Sequence, residues 1–141
     1  MKNRIDIEIT IPNHTRYLRL IGKIGEQMAQ EISGFTGDRE ALGNHLNLVL
    51  TEALVNAIKH ANATDPSKEV LIRINASEQE LQIRVYDSGK GFDLGLFPEC
   101  ACPDPLDERG RGIFIMRSLM DSVEYRKANG GNVLEMKKKL A

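Results

Sequence analysis

Apolar and polar residues alternate in several segments of this chain, and this alternation constrains its fold more than any other feature. Isoleucine occupies every second position near the start, at Ile5, Ile7, Ile9 and Ile11. This period is typical of a strand with one buried face. Two further alternating runs, 70–74 and 81–86, are separated by a short polar stretch that suits a hairpin. Strands of this kind need a second layer of structure to cover the apolar face of their sheet.

Three segments have the helical spacing of apolar residues that can supply this second layer. They cover about 14–33, from the N-cap candidate Asp38 to about Ala61, and from Gly112 to Asp121. A last hairpin, Val123–Lys127 with Val133–Leu140, is predicted around Asn129-Gly130-Gly131. The pattern predicts an α+β fold, a two-layer sandwich in which a mixed, mostly antiparallel sheet carries about three helices on one face.

Length and composition limit the classes of function. With 141 residues and 41% hydrophobic content, the chain suits a single domain spanning residues 1–141. The formal net charge of −1 gives no overall field that would draw the protein to nucleic acid or to an anionic membrane. No apolar run approaches the roughly 18 residues of a membrane span, so the sequence predicts a cytoplasmic protein.

Residues 93–109 contain three prolines and no clear period, which predicts a long loop of the kind often kept for function. Two cysteines, Cys100 and Cys102, lie in this loop. They are too few to hold a structural zinc ion unaided, and a reduced compartment is the simpler interpretation. A redox or metal role for the pair is the less favoured alternative.

Polar residues border the apolar arc of the second predicted helix. Glu52, Asn56 and Lys59 fall within a narrow arc at about 100° per residue. The carboxylate can accept a proton, the carboxamide can offer an oxygen to Mg²⁺, and the ammonium can neutralise phosphate. Taken alone, this helix is more simply explained as a solvated face, because Glu-x-x-x-Asn is common by chance.

Two glycine motifs follow later in the chain. Asp87-Ser88-Gly89-Lys90-Gly91 ends a strand, and its glycines allow close backbone approach to a ligand while its carboxylate can accept from an exocyclic amine. Gly110-Arg111-Gly112 is expected to open the third helix, where free N–H groups and the helix dipole favour phosphate. The first motif can equally be a tight turn. The second fits neither the Walker nor the Rossmann pattern.

In their order along the chain, these three segments are similar to the motifs of one family. Glu52–His60, Asp87–Phe92 and Gly110–Met116 resemble the N box and the two glycine boxes of the GHKL ATPases, which include gyrase, histidine kinases and MutL. Within that superfamily, the Glu-Ala-x-x-Asn-Ala-x-x-His helix and the run from Arg109 to Asp121 look most like the anti-sigma-factor serine/threonine kinases. The resemblance covers residues from about Ile5 to Leu140.

The resemblance implies ATP and Mg²⁺ as ligands and assigns roles to individual residues. It makes Glu52 the general base, Asn56 the Mg²⁺ ligand and Asp87 the acceptor for the adenine amino group. The other predicted nucleotide-binding residues are Lys59 and His60 near the phosphates, Gly89 and Gly91 in the first glycine box, and Arg109, Gly110, Arg111, Gly112 and Ile113 in the second. His60 can instead cap or pack the helix, and the two arginines can instead solvate an ATP lid formed by about 93–109.

The function implied by the resemblance is that of a kinase which phosphorylates a Ser or Thr of a STAS-domain anti-anti-sigma protein and alternatively sequesters a sigma factor. A homodimer, formed through the first strand and first helix, is also implied. Two alternatives stay open, a non-catalytic switch that binds ATP to set its affinity for a partner and, more remotely, a histidine-kinase-like domain acting in trans. Two departures from the family pattern, Cys100-x-Cys102 in the lid and Gly131-Asn132 where a Gly-Thr pair is usual, leave lid closure and partner choice open.

Overall fold

The structure, a computed structural model, describes residues 4–89 and 108–140, with the side chains of the second range described from residue 111 onward. This part of the chain forms five strands: β1 (Ile5–Pro12), β2 (Glu69–Ala76), β3 (Glu80–Asp87), β4 (Ser122–Ala128) and β5 (Gly131–Lys139). Its α-helices are α1 (Leu18–Glu31), α2 (Arg39–Val55) and α3 (Glu108–Leu119). A 3-10 turn at Thr15–Tyr17 precedes α1, and a segment of π-helix at Asn56–Ala61, hereafter the π segment, continues α2.

The five strands form one sheet in the order β1-β2-β3-β5-β4. Every pairing between them is antiparallel. The register aligns Ile7 with Ile74, Ile74 with Ile83, and Ile83 with Met136, so the apolar positions of successive strands share one face. The predicted α+β fold is confirmed, and the described part of the sheet is antiparallel throughout.

The β4–β5 connection is the tight turn that the sequence predicted. Asn129 and Gly130 have φ angles of 43° and 84°. Positive φ at both central residues is the conformation that asparagine followed by glycine adopts most readily in a two-residue hairpin. The turn fixes the pairing of Ala128 with Gly131, and through it the position of Asn132 on β5.

The helices cover the apolar face of the sheet. Ile72, Ile74 and Ile83 are at most 1% exposed, and burial of such side chains stabilises the fold by about 1.5–3 kcal/mol each. The side chain of Asp38 accepts a hydrogen bond from the N–H of Ala41 at 3.1 Å, which confirms the predicted cap of α2. Among the described helices, none is long and apolar enough to cross a membrane.

The third helix begins earlier than the sequence pattern predicted. The predicted start was Gly112, whereas α3 begins at Glu108, so residues 108 and 109 of the predicted lid are helical. The rest of the lid lies outside the described residues. Gly112 therefore lies inside α3, on the side that faces α2. A Cβ added there would lie 2.7 Å from the Oε2 atom of Glu52. The helix therefore tolerates glycine, at a cost of about 1 kcal/mol, in exchange for close packing against α2.

A charged network crosses the sheet face that points away from the helices. The carboxylate of Glu135 on β5 accepts hydrogen bonds from Arg84 at 2.7 Å and from Gln82 at 3.0 Å, and Arg126 lies 3.4 Å away. Only 8% of the Glu135 side chain is exposed. Burial by itself raises the pKa of Glu135, but hydrogen bonds from Arg84 and Arg126 outweigh it and hold the pKa below its ordinary value.

This network predicts a stability that depends on pH. Because the pKa of Glu135 is lower in the folded chain, its contribution is fully present above the ordinary pKa and is lost as pH falls through the folded value. Glu135→Gln should lower the free energy of unfolding by about 1–3 kcal/mol at pH 7 and by clearly less at pH 3. Urea unfolding at both pH values measures this, with the exposed Glu124→Gln as control. An equal loss at both pH values would contradict the prediction.

Candidate functional site

A small polar cluster lies where α2 meets α3. Glu52 is half-buried and Asn56, one helical turn further on, is 2% exposed. A Cβ added at Gly112 of α3 would lie 2.7 Å from Oε2 of Glu52 and 3.6 Å from Nδ2 of Asn56. The structure therefore brings together two residues of the first motif and one of the third. Glu52 and Gly112 are 60 positions apart in the sequence.

The amide of Asn56 is the most informative atom group in this cluster. Its Nδ2 atom is buried and has no hydrogen-bond partner within the described residues. Buried polar groups of folded proteins are nearly always hydrogen-bonded, and leaving one unpaired costs about 1–3 kcal/mol. An amide kept in such a position is suited to a polar ligand that completes its bonding.

The π segment changes the helix immediately after α2. A π-helix turns more slowly per residue than an α-helix, and short π segments occur frequently at functional sites. Asn56 is buried here, His60 is half-buried and Lys59 is exposed. The narrow arc predicted for Glu52, Asn56 and Lys59 assumed a regular α-helix, which gives way to the π segment after Val55. The proposed approach of Lys59 to phosphate stays a prediction.

The first glycine motif is docked against the end of the π segment. A Cβ added at Gly89 would overlap the carbonyl of Ala61, so only glycine fits at this contact. The side chain of Asn62, which is fully buried, accepts a hydrogen bond from the N–H of Ser88 at 3.0 Å and donates to Asn13 at 3.0 Å. Gly89 and Asn62 thereby place the motif beside the helix that carries Glu52 and Asn56.

Asp87, the acidic residue of this motif, is held by several donors. It is 7% exposed at the end of β3. Its Oδ2 atom accepts from the hydroxyl of Tyr125 at 2.7 Å, and its Oδ1 atom accepts from Nδ2 of Asn132 at 2.8 Å and from the N–H of Gly89 at 3.1 Å. The carboxylate is therefore fixed in position before any ligand arrives.

Sequence reasoning missed three residues of this site. Asn62 follows the predicted end of the second helix and was given no role, and Tyr125 was predicted only as a strand residue. Asn132 gave one signal, since it stands where a Gly-Thr pair is usual in the family that the chain resembles. The structure explains this departure, because the Asn132 amide contacts the Asp87 carboxylate.

The second glycine motif contributes in two ways. The first four N–H groups of α3, those of residues 108–111, have no partner within the helix and lie at the positive end of its dipole. Ile113 is fully buried in the core, so its side chain packs the helix and only its backbone could reach a ligand. Arg111 is exposed. The predicted contacts of Arg109 and Gly110 lie outside the described part of the structure, and so does Gly91.

The donor set of the cluster suits magnesium. The described residues contain no group of three or more His, Cys, Asp or Glu side chains that could hold a metal by themselves. Magnesium at nucleotide sites is commonly held by one or two protein oxygens together with substrate phosphates and water. The carboxamide oxygen of Asn56 and the carboxylate of Glu52, which both lie near Gly112, are oxygen donors of this kind.

Known proteins resemble this chain over most of its length. Residues 11–138 match the histidine kinase-like ATPase domain. The serine-protein kinase RsbW of Bacillus subtilis is 33% identical over 141 residues, which cover 94% of this chain and 86% of that protein. The RsbW of Bacillus velezensis is 30% identical over 148 residues, with 99% and 89% covered. The anti-sigma F factor of Clostridium perfringens is 34% identical over 99 residues, with 67% and 71% covered.

Proposed function

This chain belongs to the histidine kinase-like ATPase family, among its anti-sigma kinases, and we propose that it is an ATP-dependent serine/threonine protein kinase. Its substrate is a Ser or Thr hydroxyl of a STAS-domain anti-anti-sigma protein. The observation that carries the proposal is the placement of the Glu52 carboxylate and the buried Asn56 amide beside each other, against the glycine of α3. This arrangement offers a proton acceptor and a metal-binding group within one helical turn.

The nucleotide is held by all three motifs. Asp87 accepts a hydrogen bond from the amino group of adenine. The N–H groups at the start of α3 donate to the phosphates, and Lys59, His60, Arg109 and Arg111 add positive charge near them. Asn56 holds Mg²⁺, which, when bound, neutralises the charge of the phosphates.

Glu52 performs the proton transfer. The hydroxyl oxygen of the partner's Ser or Thr bonds to the γ-phosphorus, the bond from that phosphorus to the β-phosphate oxygen breaks, and ADP leaves. The hydroxyl proton passes to the Glu52 carboxylate and then to solvent. Phosphoryl transfer depends mainly on positioning and on neutralisation of charge. The main chemical role left to a side chain is therefore that of the Glu52 carboxylate, which orients the hydroxyl and accepts its proton.

The proposed partners are a sigma factor, which the protein sequesters in the cytoplasm, and the STAS-domain protein that it phosphorylates. We propose that it works as a homodimer. β1 is an edge strand of the described sheet, and its apolar residues Ile5, Ile7 and Ile9 are only partly buried. An edge strand with unpaired backbone groups is suited to pairing with a second copy.

A non-catalytic switch, which would use ATP only to set its affinity for a partner, needs Asn56 but has no use for Glu52. A histidine-kinase-like domain acting in trans would use the same nucleotide site but would phosphorylate histidine. The kinase is favoured because the Glu52 carboxylate faces the glycine of α3, beside the Asn56 amide, where a nucleophile and phosphate would meet.

Incubation with γ-labelled ATP, Mg²⁺ and a cognate STAS-domain protein tests the proposal. We expect acid-stable label on a Ser or Thr of that protein, together with release of ADP. Acid-labile label would indicate phosphohistidine and the histidine-kinase alternative. ATP binding without transfer to any STAS-domain protein would support the non-catalytic switch.

A further inference from the structure

The surroundings of Asp87 show how many hydrogen bonds it can still accept. An ionised carboxylate offers about four acceptor positions, two on each oxygen. Within the described residues, Oδ1 receives two donors, Asn132 and the N–H of Gly89, and Oδ2 receives one, the Tyr125 hydroxyl. The described residues therefore leave one acceptor position, on Oδ2.

The two side-chain donors act on the carboxylate from different strands. Tyr125 lies on β4 and Asn132 on β5. β4 ends and β5 begins at the turn around Gly130. A cavity of about 530 Å³ lies beside them, lined by Gly89, Asn132 and the residues of that turn. The volume is in the range of small-molecule sites, about 300–1,000 Å³.

Asn132 makes two hydrogen bonds at this position, where the hydroxyl of a threonine could donate only one. Its Nδ2 atom donates one hydrogen to Oδ1 of Asp87 at 2.8 Å and the other to the carbonyl of Gly89 at 3.1 Å. The amide therefore ties the carboxylate and the glycine turn together. A threonine, which has a single hydroxyl hydrogen, can make only one of these two bonds.

We propose that Tyr125 and Asn132 are positioning residues that fix Asp87 as a single acceptor for the amino group of adenine, and that they thereby set the selectivity of the site for adenine over hypoxanthine nucleotides. The inference rests on the proposed binding of ATP. Hypoxanthine carries a carbonyl oxygen where adenine carries its amino group, so a carboxylate held in place meets an acceptor and rejects it. A carboxylate free to turn rejects it less, since a site discriminates by the polar groups that a wrong ligand leaves unpaired.

Calorimetric titration of the whole chain with Mg-ATP and with Mg-ITP, its hypoxanthine counterpart, tests the proposal. We expect the wild type to favour ATP. Tyr125→Phe should weaken ATP binding about tenfold and change ITP binding less than about twofold, because one hydrogen bond to a charged group is lost. Asn132→Ala should reduce the selectivity at least as much, and Asn132→Thr, which restores one donor, should lose less than Asn132→Ala.

Tyr86→Phe is the matched control, since Tyr86 precedes Asp87 on β3 and its side chain lies over Arg73 on the opposite face of the sheet. Its selectivity should equal that of the wild type. An unchanged ratio of the two affinities in both Tyr125→Phe and Asn132→Ala overturns the proposal, even if both nucleotides bind more weakly, because equal weakening indicates a purely structural role.

The proposed kinase function fails in a different way. Selective ATP binding without phosphate transfer would remove the kinase and leave this inference intact. Binding of both nucleotides with equal affinity would remove the inference and leave the kinase intact. Binding of neither would remove both.

Discussion

Asn56→Ala should abolish binding of Mg-ATP, weakening it by about 100-fold or more, which corresponds to at least about 2.7 kcal/mol. The substitution removes the one carboxamide that the cluster offers to the metal. It should leave the free energy of unfolding within about 1 kcal/mol of the wild type. The reason is that Nδ2 of Asn56 has no partner among the described residues, so its loss breaks no hydrogen bond from that nitrogen to them. Calorimetry with Mg-ATP and urea unfolding without nucleotide measure the two effects.

Asn47 on α2 provides a control with the opposite pattern. Its Nδ2 atom donates to the Glu26 carboxylate of α1 at 2.5 Å. Asn47→Ala should therefore lower the free energy of unfolding by about 1–3 kcal/mol and leave the affinity for Mg-ATP unchanged. If Asn56→Ala kept its affinity for Mg-ATP, Asn56 would not hold the metal. If both variants lost stability equally, the Asn56 side chain would stabilise the fold as Asn47 does and would not serve a ligand alone.

The fold could be predicted from the sequence because its elements follow local rules. The isoleucine alternation of β1 and the apolar periods of β2 and β3 require a half-buried sheet, and the asparagine and glycine of the last turn require a hairpin. The cap at Asp38 follows from its short acceptor side chain. Each of these signals depends on residues that are close in sequence.

The missing features depend on contacts between distant segments. The π segment could not be predicted from the sequence, because the apolar spacing of so short a segment fits an α-helix as well as a π-helix. α3 was predicted to start at Gly112, but it begins at Glu108, and tertiary packing against Glu52 overrides the low helix propensity of this glycine. The bonds of Asp87 to Tyr125 and Asn132 join residues 38 and 45 positions away.

Order along the chain was nevertheless enough to indicate the candidate site. No single motif distinguishes a nucleotide site from a solvated helix or a turn, and the structure shows that the three motifs pack against one another. The contact between the Ala61 carbonyl and Gly89 requires glycine, and Gly112 brings α3 close to the Glu52 carboxylate. The glycines thus hold the three motifs together, in addition to any contact with phosphate.

Glu52→Gln should reduce the rate of phosphate transfer to the partner by about 100-fold to 10,000-fold, the usual contribution of a general base. The glutamine has nearly the same shape and cannot accept the hydroxyl proton, so the affinity for Mg-ATP should change less than about threefold. The exposed Glu40→Gln, in the first turn of the same helix, is the control and should transfer phosphate at the wild-type rate. Single-turnover transfer from labelled ATP measures the rate, and calorimetry measures the affinity. A Glu52→Gln rate equal to that of the wild type would remove the general base from the mechanism.

Gly112→Ala tests the same carboxylate without removing it. The added Cβ would lie 2.7 Å from Oε2 of Glu52, which is the end of a flexible side chain, so the carboxylate moves and the fold is kept. Because alanine favours a helix over glycine by about 1 kcal/mol, α3 should not be weakened. Transfer should nevertheless fall by about 10-fold to 100-fold, since a displacement of about 1 Å at a reacting group can cost that much. A variant as stable as the wild type but slow in transfer would show that the position of the Glu52 carboxylate limits the reaction. Unimpaired transfer would mean that the Glu52 carboxylate does not act from its place beside Gly112.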